Sequence, residues 1–414
     1  MKRTLRGCVI AVSVFGAGTA SAGGLWLNEF GDFSGGRAAA GAAAAGVDNA
    51  MTLAYNPASI LRQEGSQLFV SAGAIFGDMN FDINYSSPRM GYEDGGNAGV
   101  VTPLATMAYI NDLGSEKWSA GVFFGGLAGA GMNYHDDWVG RYQATEVKLS
   151  LLTLAPSLAY QVTDRLSLGV TAQAVYADLN LDMAVPRINP DLQDGKGELN
   201  GDDFKPAFAL GALYELSDTT RFGLNYQSEI DIKFDGDLKV NIPADSNLGA
   251  AIGARGVSTD TELNFAQTIR FSVHQDMDER WSVDFTVGWD NWSALDNVLV
   301  STQDREAGIP TEWKDTYHVA WGAQYRLTDK WDLTGGVAYD SNPVDSEDRN
   351  AQLPVDRQIR YAGGARYKLK ENLTVGGYLM YMDLGRARIT ASRFGGDFDY
   401  NSGVQVAINA NWNF

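Results

Sequence analysis

The sequence predicts an all-β protein, a fourteen-stranded antiparallel β-barrel that crosses a membrane. Three observations predict it: strands that alternate apolar and polar residues, a regular succession of short turns and long loops, and no apolar stretch long enough for a spanning helix. With 45% apolar residues among 414, the chain is too apolar to be disordered. Its net charge of −19 argues against nucleic-acid binding.

The first 22 residues predict a secretory signal peptide. Basic residues occupy positions 2, 3 and 6, an apolar stretch covers positions 8–20, and Ala20-Ser21-Ala22 provides a cleavage site. A membrane anchor is the alternative, but the apolar stretch is shorter than the ~20 residues that a spanning helix needs. We therefore expect residues 1–22 to be removed, together with the single cysteine, Cys8.

Residues 281–289 (WSVDFTVGW) illustrate the strand pattern. Apolar side chains alternate strictly with Ser, Asp, Thr and Gly, and residues 404–414 repeat the alternation. A soluble β-sandwich alternates as well, with its apolar face turned inward. The polar faces here suit a wet lumen, and strands of roughly 10–18 residues exceed the ~5–6 of globular sheets. We therefore predict that the apolar faces point outward into lipid.

Short turns of one kind recur along the chain. Each closes a strand with an aromatic residue or His, makes an Asp-, Thr- or Asn-containing turn, and begins the next strand with Trp, Leu or Phe. They lie in residues 109–118, 160–166, 214–222, 274–281, 325–331 and 367–373. If both termini lie on the short-turn side, six short turns require fourteen strands and seven long loops. Seven longer regions are present, near 86–99, 129–145, 184–203, 236–261, 293–313, 341–356 and 384–401.

Before the first predicted strand (about Gln67 to Tyr85), roughly 40 residues do not alternate. They include Leu27-Asn28-Glu29-Phe30, Gly36-Arg37-Ala38 and Asn56-Pro57-Ala58. With these motifs the sequence resembles the FadL/TodX (OmpP1) family of outer-membrane transporters for long-chain fatty acids and other hydrophobic compounds. Further similarities extend the resemblance along the mature chain, at residues 138–144, 175–177, 213–216, 221–224 and 313–315.

The resemblance implies that residues 23–65 form a plug, or hatch, inside a barrel of residues 66–414. A periplasmic tail or linker is the alternative, which the Ala- and Gly-rich composition permits. The aromatic residues Trp26, Phe30 and Phe33 favour the plug, since a linker has little use for them. An arginine inside the lumen, Arg37, would need a carboxylate partner. The hatch anchor would be Asn56, Pro57 and Ala58, a set that suits a rigid turn.

The resemblance also implies a mechanism: capture of the ligand by extracellular loops, especially residues 242–257, and lateral release into the membrane through a kink in strand three. Glycines weaken strand pairing and permit bulges, although a flexible loop start is the alternative here. The candidate exit residues are Gly125, Gly126, Gly129 and Gly131. The implied ligand-binding and gating residues are Leu25, Trp26, Leu27 and Phe30.

The sequence does not determine whether the ligand has a carboxylate head group. The family prototype holds a fatty-acid carboxylate with basic residues in two stretches that here read Asp178–Met183 and Gly308–Glu312, without a basic side chain. The nearest basic residues are Arg187 and Arg305. Either these two contact a carboxylate, or the ligand is not a carboxylate.

Other classes of function find less support. The chain has neither a GxSxG motif nor a phosphate-binding loop, so we expect no enzyme activity, no cofactor and no nucleic-acid partner. His135, Asp136 and Asp137 suit a solvated loop better than a metal site. We expect a monomer among the lipids and lipopolysaccharide of a Gram-negative outer membrane. The alternative is a passive porin or a structural or adhesive barrel.

Overall fold

The computed structural model describes residues 24–187, 193–241, 255–295, 297–302 and 306–414. The predicted signal peptide, residues 1–22, lies outside them. The described chain is dominated by one antiparallel sheet of nineteen hydrogen-bonded segments. They are β1 (Ser66–Ser86), β2 (Val101–Asn111), β3 (Trp118–Asn133), β4 (Glu146–Thr163), β5 (Leu166–Val185), β6 (Gly195–Glu215), β7 (Thr220–Gln227), β8 (Ile230–Asn241), β9 (Arg255–Phe265), β10 (Thr268–Asp276), β11 (Trp281–Asp290), β12 (Asn297–Thr302), β13 (Glu306–Pro310), β14 (Thr316–Arg326), β15 (Trp331–Asp340), β16 (Gln358–Lys370), β17 (Leu373–Asp383), β18 (Ile389–Thr390) and β19 (Phe394–Asn413).

These segments form fourteen crossings of a closed barrel. Four crossings are each divided into two segments, β7 with β8, β9 with β10, β11 with β12, and β13 with β14. The two-residue segment β18 belongs to the last loop and pairs with β19. Each crossing is antiparallel to the next, and β1 closes the ring by pairing with β19 from Gln67–Asn413 to Ser86–Phe394. The predicted fold class and strand number are therefore confirmed.

The barrel turns its apolar faces outward, as predicted. In β11, Phe285 and Val287 are exposed, whereas Asp284 and Thr286 are buried. On a barrel in lipid, exposed apolar side chains contact acyl chains and buried polar ones face the lumen. Cross-strand aromatic pairs mark the short-turn rim: Trp118–Tyr160, Trp281–Tyr325 and Trp331–Tyr367, with ring centroids 4.5, 4.6 and 4.7 Å apart.

Several strands are longer than the sequence pattern predicted. β1 and β6 have 21 residues each, whereas a tilted crossing needs only ~9–11. The extra length comes from pairing that continues toward the long loops, where the apolar alternation that marks a lipid-facing strand is no longer required. In β6, for example, the added residues include Lys196, Glu198 and Asp202.

Residues 24–65, called the hatch below, are folded into short helical turns and are mostly buried. The side chains of Leu25, Met51 and Ile60 are fully buried. Its elements are the 3-10 helices Phe33–Arg37, Ala42–Ala44 and Pro57–Arg62 and the α-helix Thr52–Tyr55; a further 3-10 helix, Trp292–Ala294, lies in a long loop. In the part of the chain that the structure describes, no helix is long and apolar enough to cross a membrane.

Candidate functional site

The predicted anchor residues hold the C-terminal part of the hatch against the barrel wall. Asn56 is fully buried and caps the N-terminus of the 3-10 helix Pro57–Arg62. Its side-chain amide donates hydrogen bonds to the carbonyl oxygens of Ala43, in the hatch, and Ala212, in β6, at 2.6 and 3.0 Å. Its side-chain oxygen accepts a hydrogen bond from the Ala58 amide at 3.0 Å. One side chain thus joins two parts of the hatch to the wall.

Two barrel glycines make this close contact possible. Gly169 of β5 and Gly211 of β6 are register partners. A Cβ atom on Gly169 would lie 2.4 Å from the backbone nitrogen of Ala58, and a Cβ atom on Gly211 would lie 2.0 Å from Asn56 Oδ1. Both distances are well below van der Waals contact. The anchor reaches the wall here because neither position carries a side chain.

An ion pair fixes the middle of the hatch. Arg37 Nη1 lies 2.5 Å from Asp284 Oδ2 of β11, and both side chains are almost fully buried. Arg37 Nη2 also donates to the carbonyl oxygen of Gly46. The other carboxylate oxygen, Asp284 Oδ1, lies within hydrogen-bonding distance of His274 Nδ1, at 2.8 Å. Arg37 therefore has the carboxylate partner that a buried guanidinium requires.

The N-terminal segment of the hatch, residues 25–30, lies against the inner side of β3. The Leu27 amide donates to the carbonyl oxygen of Leu127 at 2.9 Å, and the Gly129 amide donates to the carbonyl oxygen of Leu25 at 3.1 Å. An isolated antiparallel bridge lies between these two bonds. The hatch therefore adds a short antiparallel strand to β3, and this strand contains three of the four predicted gating residues.

Trp26 links the same segment to the junction between β9 and β10. Its indole Nε1 donates a hydrogen bond to the carbonyl oxygen of Ala266 at 3.0 Å, where the chain passes from β9 to β10. Its ring packs against Phe265 and Trp292, with centroids 5.6 and 6.2 Å away. Trp26 thus connects β3 to a buried aromatic cluster on the other edge of the hatch segment.

β3 departs from regular pairing at the predicted glycines. Its register with β4 shifts between Gly126 and Ala128, so that Leu127 is the extra residue of a β-bulge. Residues 127–132 are all buried, whereas a lipid-facing strand exposes every second residue. The end of β3 toward the long loops is therefore covered on both faces.

The ladder between β2 and β3 is interrupted along the same stretch. Residues Met107–Asn111 of β2 pair with β3, and the next contact between this region and β3 is the isolated bridge of Gly99 with Met132. The structure describes all the residues between these two contacts, and none of them forms a register pair between the two strands. The hatch segment occupies part of the free edge that β3 leaves.

The four predicted exit glycines have different surroundings. Gly125 lies across the interruption from Thr106, whose Cγ2 would be 2.9 Å from an added Cβ atom. Gly126 faces the hatch, and Gly129 is hydrogen-bonded to it. Gly131 keeps its place in the ladder between β3 and β4. The structure thus brings the first three to the hatch and the interruption.

A cavity of about 110 Å³ lies between the hatch and the barrel wall. The hatch lines it with Trp26, Leu27 and Phe30, and β3 lines it with Phe123 and Leu127. Phe30 and Phe123 are in edge-to-face contact, with centroids 5.5 Å apart. The predicted gating residues therefore bound an apolar cavity together with the bulge of β3; the fourth of them, Leu25, is buried beside the lining.

Another part of the cavity wall is polar and contains Arg270 of β10. Its guanidinium lies over Gly288 of β11, where an added Cβ atom would be 2.6 Å from Nη1. It donates hydrogen bonds to both carboxylate oxygens of Asp290, at 2.7 and 3.1 Å, and a longer one to Asn28 of the hatch, at 3.4 Å. The sequence pattern did not single out Arg270, because these neighbours come from other strands and from the hatch.

A second charged group adjoins Arg270. His318 lines the cavity, and its Nδ1 lies 2.8 Å from Asp340 Oδ1 and 3.3 Å from Arg360 Nη2. Arg360 donates to Asp340 Oδ2 at 2.7 Å. Both carboxylate oxygens of the hatch residue Glu29 lie 3.4 Å from Arg360 Nη1, a looser contact. The hatch therefore adds one carboxyl group to a wall whose charges are already paired.

The surroundings of Glu29 disfavour its charged form. Burial raises the pKa of the Glu29 carboxyl from 4.5 to about 7; Arg360 opposes the increase, and Asp340 and Asp32 add to it. The loss of hydration therefore outweighs the attraction of the guanidinium. Near neutral pH this hatch residue is present in both protonation states.

The residues predicted to contact a carboxylate are not brought to the cavity. Arg187 is buried beyond the end of β5, where its Nη1 donates to the carbonyl oxygen of Gln193 at 3.3 Å, and it is not part of the cavity lining. Arg305 lies outside the described residues, as do residues 242–254 of the predicted capture loop. The basic residue on the described lining is Arg270 instead.

The chain is similar to known proteins along its length. A long-chain fatty acid transport protein of Escherichia coli O6:H1 is 24% identical, over 98% of this chain and 97% of the relative. A Pseudomonas aeruginosa FadL homologue of known structure superposes with a TM-score of 0.87 at 19% identity, over 94% of this chain and 99% of that one. The toluene transporter TodX of P. putida superposes with a TM-score of 0.66 at 15% identity, over 87% and 92% of the two chains.

The family model described as outer membrane protein transport protein (OMPP1/FadL/TodX) matches residues 13–414. The match includes the hatch and every strand of the barrel. The resemblance found in the sequence motifs is thereby confirmed, together with an outer-membrane location. The chain belongs to the OMPP1/FadL/TodX family of outer membrane transport proteins.

Proposed function

We propose that the protein is a gated uptake channel for long-chain fatty acids or similar hydrophobic small molecules. The observation that carries the proposal is the cavity bounded jointly by the hatch and by the bulged part of β3. A plain porin would not need an apolar chamber between a plug and an interrupted wall.

The ligand class is supported by the lining and by the relatives. The E. coli relative is named for long-chain fatty acids and the P. putida structure for toluene, and both ligands are hydrophobic. The cavity, about 110 Å³, is somewhat smaller than the ~150 Å³ cavity that holds one benzene molecule in an engineered protein. A small aromatic, or a few carbons of an alkyl chain, would nearly fill it. A whole long-chain ligand requires the hatch to move.

We propose lateral release for physical reasons. Each CH₂ group that stays in contact with apolar surface is worth ~0.8 kcal/mol relative to water, so an aqueous exit on the periplasmic side is unfavourable for a long alkyl chain. The interruption between β2 and β3 lies directly beside Phe123 and Leu127 of the cavity. A ligand leaving through it would pass from the cavity into the hydrocarbon core without crossing water. Gly125, Gly126 and Gly129 are the proposed exit residues.

In this proposal, residues 23–65 form one hatch with a C-terminal part that stays anchored and an N-terminal segment that moves. Asn56, Pro57 and Ala58 keep its C-terminal part on the wall while its N-terminal segment moves. That movement breaks the two backbone hydrogen bonds to β3, at Leu27 and Gly129, and leaves the barrel ladder intact. Ligand binding shifts the population toward the open state only if the open state binds the ligand more tightly. The barrel functions as a monomer among outer-membrane lipids and lipopolysaccharide, and it requires no cofactor.

A reversible cross-link tests the exit. Gly125 and Thr106 face each other across the interruption, and an added Cβ on Gly125 lies close enough to the Thr106 side chain for a disulfide. The mature chain lacks cysteine, so the double variant Thr106→Cys/Gly125→Cys carries only the two introduced thiols. Oxidation should abolish uptake of radiolabelled oleate and toluene by cells, and a reductant should restore it.

The matched control places the same cross-link elsewhere on the wall. Gly335 and Gly363 are register partners in β15 and β16, and an added Cβ on either has ample space. The variant Gly335→Cys/Gly363→Cys should transport normally when oxidised. If fully cross-linked Thr106→Cys/Gly125→Cys takes up both ligands at the normal rate, lateral release is wrong. A large steady ion conductance of the intact protein in a planar bilayer would support a passive porin instead.

A further inference from the structure

We infer that the cavity selects uncharged ligands, namely hydrocarbons, alcohols and fatty acids in their protonated form, and rejects the carboxylate anion. This inference rests on the proposed function and narrows its substrate class. Four observations support it: the pairing of the lining cation, the charges behind it, the behaviour of a carboxyl group already present, and an unused acceptor atom.

The cation of the lining already has a counter-charge. Among the described lining residues, Arg270 is the one side chain that is charged at every physiological pH. Asp290 accepts two of its hydrogen bonds, in the bidentate geometry that matches a guanidinium best. Gly288 leaves the space in which Arg270 lies flat against β11. The guanidinium therefore offers an incoming carboxylate little net positive charge.

The charges behind the lining are balanced in the same way. Arg360 is paired with Asp340, which also contacts His318. A ligand carboxylate near His318 would face Asp340 and Asp290 as well as their two arginines. Because these charges cancel, they would not compensate a carboxylate for the hydration that it loses in a poorly hydrated site, so a further anion would be destabilised.

A carboxyl group of the protein itself reports on this environment. Glu29 stands between Asn28 and Phe30, both of which line the cavity. Its charged neighbours are Arg360, Arg270, Asp340 and Asp32, and the net result with burial is the raised pKa described above. A carboxyl placed here takes up a proton more readily than it does in water. Glu29 points away from the lining, but a ligand carboxyl that loses its water in the cavity would be shifted in the same direction, because burial by itself raises the pKa of a carboxyl.

An unused acceptor completes the argument. Asn225 lines the cavity, and its side-chain oxygen is buried without a hydrogen-bond partner among the described residues. A hydroxyl group or a protonated carboxyl group can donate to such an oxygen, whereas a carboxylate has no proton to donate. The lining therefore has a place for a neutral donor. Besides Arg270 and His318, its other polar residues carry hydroxyls or amides: Asn28, Tyr55, Thr171, Gln173, Gln227, Thr268 and Thr286.

The test compares two probes of equal chain length, octanoate and 1-octanol, titrated into detergent-solubilised full-length protein at several pH values from 6 to 8.5. If only the protonated acid binds, octanoate affinity should fall about tenfold for each pH unit, because binding must take up a proton. The affinity for 1-octanol should stay within about twofold over the same range. The octanoate slope should persist in Glu29→Gln, since the ligand is the group that titrates.

Two further variants test the role of the counter-charge. Asp290→Asn leaves Arg270 without its carboxylate, so octanoate affinity at pH 8.5 should rise by roughly tenfold or more while 1-octanol affinity is unchanged. Asp332→Asn is the matched control, because it removes a carboxylate from the Arg366 pair, which is not part of the cavity lining. It should leave both affinities unchanged.

The outcomes are separable. If the wild type binds octanoate equally tightly at pH 6 and pH 8.5, the inference is wrong and the proposed function is unaffected. Failure of both probes to bind at any pH contradicts the proposed function itself. The wild-type pH profile decides the inference even if Asp290→Asn does not fold.

Discussion

Replacement of Asn56 by Ala should release the hatch from the wall without unfolding the barrel. The Asn56 side chain makes three hydrogen bonds, to Ala43, Ala212 and Ala58, and they link the hatch to itself and to β6. None of them belongs to the ladder that closes the barrel. The effect should therefore appear in the docking of the hatch and not in the stability of the strands.

The loss of docking free energy can be estimated bond by bond. Loss of the two donated bonds removes ~1 kcal/mol each, and the Ala58 amide is left buried without its acceptor, which costs about 1–3 kcal/mol more. The hatch should therefore dock about 3–5 kcal/mol more weakly. Since 1.4 kcal/mol is a factor of ten, the undocked population rises by about 10²- to 10⁴-fold.

Limited trypsin digestion measures that population, because cleavage of a transiently exposed segment follows its equilibrium opening when reclosing is fast. Arg37 and Arg62 are the cleavage points within the hatch. The control is Asn49→Ala, which removes from the same hatch a buried Asn whose side chain accepts one local hydrogen bond, from the Met51 amide. Equal cleavage rates in Asn56→Ala and Asn49→Ala would refute the anchoring role.

Two further predictions concern the charges of the hatch. Arg37→Met leaves the buried Asp284 without its guanidinium and should weaken hatch docking by about 3–5 kcal/mol, with partial recovery in Arg37→Met/Asp284→Asn. Trypsin cleavage at Arg62, the hatch site that these variants keep, measures both changes, and no recovery would argue against a direct pair. The pKa of Glu29 is about 7 in the docked hatch and about 4.5 when the hatch is released. Docking is therefore favoured while Glu29 is protonated, and it should weaken by ~3 kcal/mol as the pH rises from 4.5 to 7. Above pH 7 it should not weaken further. The ratio of wild-type to Glu29→Gln cleavage rates, in which the pH dependence of trypsin itself cancels, should show this slope from pH 4.5 to 8, and a constant ratio would assign any slope to another group.

The barrel could be predicted from the sequence because its signal is local. The alternation in residues 281–289 and the six similar turns each depend on neighbouring positions along the chain, and the structure follows both. The division of four crossings into two segments was not predicted. At Ser228 and Glu229, for instance, the chain leaves the ladder between β7 and β8, and nothing in the local composition marks that break.

The cavity could be predicted only in part. Trp26, Leu27 and Phe30 stood out because bulky residues in an Ala- and Gly-rich stretch need a buried place. Arg270 could not be singled out, because its partner Asp290 is 20 positions away and its space is provided by Gly288 of the next strand. A search for basic residues near the family's expected positions led to Arg187, which lies outside the cavity lining. Register between strands, which one sequence does not reveal, decides such neighbours.

The short strand that the hatch adds to β3 has a consequence for how this protein can change over evolutionary time. The ring of strands closes through its own ladder, so its assembly does not depend on the side chains of residues 25–30. Their contact with β3 uses backbone atoms, which any residue except proline supplies. Four of them, Trp26, Leu27, Asn28 and Phe30, line the cavity. Substitutions there can therefore change the lining of the cavity while the ring of strands stays closed, and the folding of the barrel is not put at risk.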